Sequence, residues 1–100
     1  MELTIKDNGD SIAGILNGRL DTAASTQFAR DMQPLMDNAN KLIILDCTDL
    51  KFISSSGLRL LLSLRKQSIA QKGDITIKGV SDEVKQVFTI TGFYSLFNFE

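Results

Sequence analysis

The chain has 100 residues, of which 43% are apolar and 23% charged, with a formal net charge of −1; this balance supports one folded core, excludes a disordered chain and lacks the basic excess of a direct nucleic-acid binder. It contains no histidine, which excludes histidine-based triads, histidine zinc sites and histidine phosphocarriers. The single cysteine, Cys47, cannot form an intramolecular disulfide, Met1–Lys6 carries no signal-peptide pattern, and the apolar run Leu60–Leu62 is far short of a membrane span, so a cytoplasmic protein with no membrane partner is expected.

Leu3-Thr4-Ile5-Lys6 alternates apolar and polar residues as a half-buried strand does. The turn cluster Asp7-Asn8-Gly9-Asp10 follows, and Asn-Gly is a strong hairpin signal. Ser11 to Asn17 carries Ile12, Ile15 and Leu16 and reads as the antiparallel partner strand. Gly18-Arg19-Leu20-Asp21 closes it, with Asp21 placed as an N-cap. From Thr22 to Ala39, Ala24, Phe28, Met32, Leu35, Met36 and Ala39 recur at helical spacing. Pro34 lies inside that pattern, where a regular helix would lose about 3 kcal/mol, so a kink is expected near residues 30–34.

Leu42-Ile43-Ile44-Leu45 is a continuous apolar run, expected to be a central parallel strand leading to Asp46 and a buried Cys47. Thr48 to Phe52 reads as a connecting loop. Leu58 to Lys72 reads as a helix with a broad apolar face of Leu58, Leu60, Leu61, Leu62, Leu64 and Ile69, stopped by Gly73. Ile75-Thr76-Ile77-Lys78 alternates like a strand. Ser81 caps a third helix, with Asp82 and Glu83 in its first turn and Val84, Val87 and Phe88 as its buried stripe, ending at Gly92. Tyr94 to Phe99 is either a last short strand or a tail packed on the core. The fold expected is α/β: a mixed sheet of four to five strands, an N-terminal antiparallel hairpin followed by parallel strands, with helices mainly on one face because successive right-handed crossovers return to the same side.

The most informative stretch is Asp49 to Arg59, centred on Ser54-Ser55-Ser56-Gly57. It puts three hydroxyls and a glycine at a helix entrance, where backbone amides lack intrahelical partners and the macrodipole is positive. Such an entrance takes an anion, including a phosphate carried on one of the serines. Capping alone also explains serines at this position, and Gly57 alone reads as a conformational requirement.

Three segments, correctly spaced, resemble the STAS domain (sulfate transporter and anti-sigma factor antagonist). Ser54-Ser55-Ser56-Gly57-Leu58 and its leucine-rich helix resemble the family's D-S-[S/T]-G-L signature, Gly18-Arg19-Leu20-Asp21 resembles its G-x-[L/I]-D turn, and Thr91-Gly92-Phe93 resembles its C-terminal T/S-G-[L/F]. The resemblance spans essentially the full chain and implies a single STAS domain over residues 1–100. It departs from the family at Ser54, where an aspartate is usual.

The resemblance implies an anti-sigma factor antagonist that binds an anti-sigma factor serine kinase of histidine-kinase-type ATPase fold, frees a sigma factor, and is released by phosphorylation of Ser55. The implied docking surface is Asp21, Thr22, Ser54, Ser55, Ser56, Gly57 and Arg59. No catalytic residue, cofactor or metal is expected, and a monomer is the default state. Three other readings stay open: a constitutive STAS adaptor binding a transporter or signalling scaffold without a phospho-switch, a hydrolase using Ser55, for which no base stands at a recognisable spacing, and a small-ligand domain of the nucleotide-binding kind, for which the chain has no glycine-rich phosphate loop.

Overall fold

The computed structural model describes residues 1–100. Its elements are β1 (Glu2–Asp7), β2 (Ser11–Leu20), α1 (Thr22–Asp31), α2 (Gln33–Asp37), β3 (Leu42–Ile53), α3 (Ser55–Ala70), β4 (Asp74–Lys78), α4 (Asp82–Ile90), a short 3₁₀ turn (Tyr94–Leu96) and β5 (Asn98–Phe99). The five strands lie in sequence order, the first pair antiparallel and the others parallel. The mixed sheet read from the sequence is therefore present, with a fifth strand only two residues long. Its hairpin closes at Gly9, which adopts φ +87° and donates its N–H to Asp7 Oδ1 at 2.9 Å.

One face of the sheet carries the core. Ile12, Gly14 and Leu16 of β2, Ile43, Leu45 and Cys47 of β3, and Ile75 and Ile77 of β4 are buried, while Ala13, Ile15, Ile44, Asp46 and Thr76 between them are only half-buried. Strand neighbours alternate faces, so the helices cover a single side. Phe28, Met32, Leu35, Leu58, Leu61, Leu64, Val84 and Phe88 join the buried strand residues in one cluster. Leu35 reaches the sheet because Gly14 has no Cβ; one added there would lie 3.1 Å from Leu35 Cδ1.

The expected helix break falls at Met32, between α1 and α2. Pro34 sits in the first turn of α2, where a missing N–H removes no helical bond. The expected loop over Thr48–Phe52 is instead a continuation of β3, which pairs with β2 as far as Leu20↔Ile53. Between Ile15 and Asn17 of β2, β3 advances from Asp46 to Asp49, and between Gly18 and Arg19 it advances from Leu50 to Phe52. Each step gives β3 one extra residue, and these bulges interrupt the two-residue alternation by which a strand is recognised.

Helix α3 begins at Ser55 rather than Leu58. Leu58, Leu61 and Leu64 are buried, but Ile69, expected on the apolar face, is 58% exposed, and Ser68 occupies the inward position one turn after Leu64. The helix stop also differs from expectation. Lys72, not Gly73, takes the left-handed conformation (φ 62°), while Gly73 N–H reaches the Ser68 carbonyl at 2.8 Å and Lys72 N–H that of Ile69 at 3.2 Å, a Schellman pair. Gly73 is needed for space, since a Cβ there would lie 2.0 Å from the Ala39 carbonyl oxygen. Helix α4 is capped by Ser81, whose Oγ accepts from Val84 N–H at 3.2 Å, and ends on Gly92 at φ +79°. The C-terminal segment is both packed tail and strand, because Phe97 and Phe99 meet Phe88 edge-on at 5.7 and 5.3 Å.

Cys47 is buried, and burial, reinforced by the neighbouring Asp46 charge, pushes its thiol up to about 12. The folded chain thus holds the thiol proton that the unfolded chain loses near its ordinary value, and Cys47 is a poor nucleophile while the fold is intact. Iodoacetamide at mildly alkaline pH is expected to leave the native protein unlabelled and to label it rapidly in urea; fast native labelling contradicts the burial. Leu61→Ala is expected to cost about 2–5 kcal/mol in a urea titration.

Candidate functional site

The site is built where β2 and β3 end at the same level. Leu20 and Ile53 are register partners, and Ser54 N–H donates to the Leu20 carbonyl at 2.8 Å, one step beyond the last pair. Each strand then turns directly into a helix. Asp21 leaves β2 in an extended conformation and its Oδ1 accepts from Ala24 N–H at 2.8 Å, starting α1. Ser54 leaves β3 in the same way and its Oγ accepts from Gly57 N–H at 3.1 Å, starting α3. Two helix N-termini, each with unpaired first-turn amides and the positive end of its dipole, therefore stand side by side.

Gly57 holds this arrangement through space rather than through an unusual backbone angle, which corrects the conformational reading. It is buried, and a Cβ on it would fall 2.7 and 2.9 Å from Leu20 Cγ and Cδ2 and 3.1 Å from Ile53 Cγ1. A leucine-packed strand end and a helix start can approach this closely only with glycine between them.

The three serines divide the work. Ser54 caps the helix. Ser55, the first helical residue, is exposed, and its hydroxyl makes no hydrogen bond within the chain. Ser56 is half-buried and lines an open cleft of about 320 Å³ between α1 and α3 with Thr22, Ser25, Thr26, Arg59 and Leu60. Arg59 is exposed and makes no ion pair. It stands one helical turn beyond Ser55, the spacing at which helix side chains meet.

All seven residues expected at the surface, Asp21, Thr22, Ser54, Ser55, Ser56, Gly57 and Arg59, thus come together at one end of the sheet. Gly57 lies beneath that surface rather than on it. The structure adds Ser25, whose Oγ donates to the Asp21 carbonyl at 2.9 Å, and Thr26. Both follow Asp21 and Thr22 by one turn, the signal that would have found them. It also adds Arg19, which lies 4.6 Å over the Phe52 ring, its register partner, beside the strand ends.

Residues 9–100 match the STAS domain family, and the chain belongs to it. BtrV of Bordetella bronchiseptica, which is named as an anti-sigma factor antagonist, is 30% identical over 97 residues, covering 97% of this chain and 84% of BtrV. Among solved structures, a Thermotoga maritima protein described as an anti-sigma factor antagonist superposes with a TM-score of 0.85 at 19% identity, covering 97% of this chain and 84% of that one. The anti-sigma factor antagonist SpoIIAA of Bacillus, in its unphosphorylated form, superposes with a TM-score of 0.81 at 21% identity over 99% of this chain and 88% of its own; its phosphorylated form does so with a TM-score of 0.73.

Gly57→Ala is expected to cost about 1–3 kcal/mol through overpacking against Leu20 and Ile53 and to shift the amide resonances of residues 54–58. An unchanged urea midpoint with unchanged resonances contradicts the close approach.

Proposed function

We propose that the chain is an anti-sigma factor antagonist controlled by phosphorylation of Ser55. The unphosphorylated form binds an anti-sigma factor serine kinase and frees a sigma factor; the phosphorylated form is released. The observation that carries this reading is the division of labour in the serine turn: Ser54 spends its oxygen on the cap, while Ser55 presents an exposed, uncommitted hydroxyl at the first helical position.

Phosphate at that position adds about −1.5 to −2 charges. Within the domain, the helix terminus and its amides favour an anion, and Arg59 stands one turn away as a cationic neighbour. In a docked surface, the same charge would have to be stripped of water against a partner shaped for a neutral hydroxyl, and each loss of about 1.4 kcal/mol is a tenfold loss of affinity. The fold survives and the complex does not. SpoIIAA, which shares the fold, exists in both forms. Ser54 in place of the usual aspartate preserves capping and removes a carboxylate that would repel a phosphate on its neighbour.

The reading needs no enzyme activity, metal or cofactor in this chain. Ser55 supplies a hydroxyl, and the kinase supplies ATP, magnesium and any base. No helix is long and apolar enough to cross a membrane; a cytoplasmic monomer fits the role.

The test is intact-mass analysis with peptide mapping after incubation with Mg-ATP in lysate of the native host. One phosphate on Ser55, absent from Ser55→Ala, is the expected result. A phosphate on Ser56 instead would reassign the switch, and no phosphate in lysate whose serine kinases are shown active would favour the constitutive adaptor. Ser55→Asp is expected to fold with a native melting transition and to bind the purified kinase at least about tenfold more weakly than the unmodified protein.

A further inference from the structure

A second cleft, unrelated to the serine turn, lies at the opposite end of α3. It has a volume of about 230 Å³ and is lined by Arg65, Ser68 and Ile69 of α3, Asp74 at the start of β4, and Leu96 and Asn98 of the C-terminal segment, among others. At 1.5 Å rise per residue, Arg65 and Ser68 stand about 15–20 Å along the helix from Ser55.

Its polar groups are fixed in place and left with spare capacity. Arg65 is half-buried and donates its Nε–H to the Leu96 carbonyl, which orients the guanidinium. Its Nη donors have no acceptor in the protein, and it forms no ion pair. Asn98 donates from Nδ2 to Asp74 Oδ1 and to the Ile75 carbonyl, both at 3.1 Å, and Asp74 Oδ1 also accepts from Ile75 N–H at 2.9 Å. These bonds hold one carboxylate oxygen of Asp74 and leave the other free of protein donors. Ser68 is 2% exposed, and its Oγ is buried without a hydrogen-bond partner. A buried hydroxyl left unpaired is costly. Ile69, 58% exposed, supplies apolar surface at the rim.

One cleft thus holds a cation and an anion that do not neutralise each other, a buried orphan hydroxyl and an exposed aliphatic side chain. We propose that it binds a free α-amino acid with an apolar side chain. The planar Nη fork of Arg65 and the Ser68 hydroxyl take the ligand carboxylate, for which a guanidinium is well shaped. The free Asp74 oxygen takes the ammonium, and Ile69 and the neighbouring apolar walls cover the side chain. The cleft is smaller than the ~300–1,000 Å³ usual for ligand pockets, a size for an amino acid and not for a nucleotide. This site is independent of the phosphorylation switch.

The test is a ¹⁵N–¹H titration of the full chain with free alanine, valine, leucine and phenylalanine, and with 4-methylpentanoate and isoamylamine, which keep leucine's carbon skeleton up to one of its two charged groups and lack the other. Saturable shifts at Arg65, Ser68, Ile69 and Asn98, with a Kd at or below about 1 mM for at least one amino acid and at least tenfold weaker binding of both leucine analogues when leucine is that ligand, are expected. Ser68→Ala and Asp74→Asn should fold with near-native melting temperatures and weaken that binding at least fivefold. No saturable shift with any amino acid, equal binding of a singly charged analogue, unaltered affinity in both variants, or shifts centred on residues 54–59 would each overturn the proposal.

Discussion

The hydrogen bond from Ser54 N–H to the Leu20 carbonyl is the join on which the working end of this molecule depends. It extends the β2–β3 pairing one step past Leu20↔Ile53 and makes two neighbouring parallel strands stop at the same height. Because each strand is followed at once by a side-chain cap, Asp21 on one and Ser54 on the other, α1 and α3 start level and side by side. The closeness then requires a residue without a side chain where α3 passes over Leu20, and Gly57 is that residue. Strand length, capping and the glycine are three parts of one geometrical condition.

Two helix starts set together make a surface of unusual electrostatic character for a chain of net charge −1. The amides of two first turns point outward, Arg59 flanks them on the helix side, and Arg19, steadied by the Phe52 ring, flanks the strand ends. Under the proposed switch, this setting reconciles two demands. A phosphate is accommodated by the domain that carries it, since helix dipoles and free amides stabilise an anion, yet the surface it changes is the one a partner must desolvate. The buried apolar cluster lies beneath that surface, with Leu20, Ile53, Leu58 and Leu61 as its members nearest the serine turn, so a change of charge above leaves the packing below in place.

Most of the framework was legible in the sequence for local reasons. The Asn8-Gly9 turn, the caps at Asp21 and Ser81 and the interruption before Pro34 each depend on a few adjacent residues, and each appears where those residues stand. The serine turn was legible because it keeps its order and spacing with two further motifs, Gly18–Asp21 and Thr91–Phe93, along the chain. What escaped depended on partners distant in sequence. Thr48–Phe52 is strand because β2 lies beside it, and two bulges hide the alternation. Ile69 is exposed because α3 turns Ser68 inward after Leu64. Gly57 and Gly73 looked like conformational residues, while the structure requires them for approaches to Leu20 and to the Ala39 carbonyl. The cleft wall contributed by Ser25 and Thr26 needed α1 and α3 to be adjacent, which follows from the level strand ends and not from either helix alone.

The central claim is that one end of the sheet can change its charge while the rest of the domain stays as it is. The direct measurement compares the ¹⁵N–¹H spectrum of the unmodified protein with that of protein carrying phosphoserine at position 55, installed co-translationally. The account predicts amide shifts confined to the two helix starts and strand ends, residues 19–26 and 52–60, with the amides of β4 and α4 and the melting transition unchanged. Shifts spread through β4 and α4, or loss of cooperative melting, would show that phosphate at the serine turn remodels the core, and would contradict the separation of surface from framework on which the account rests.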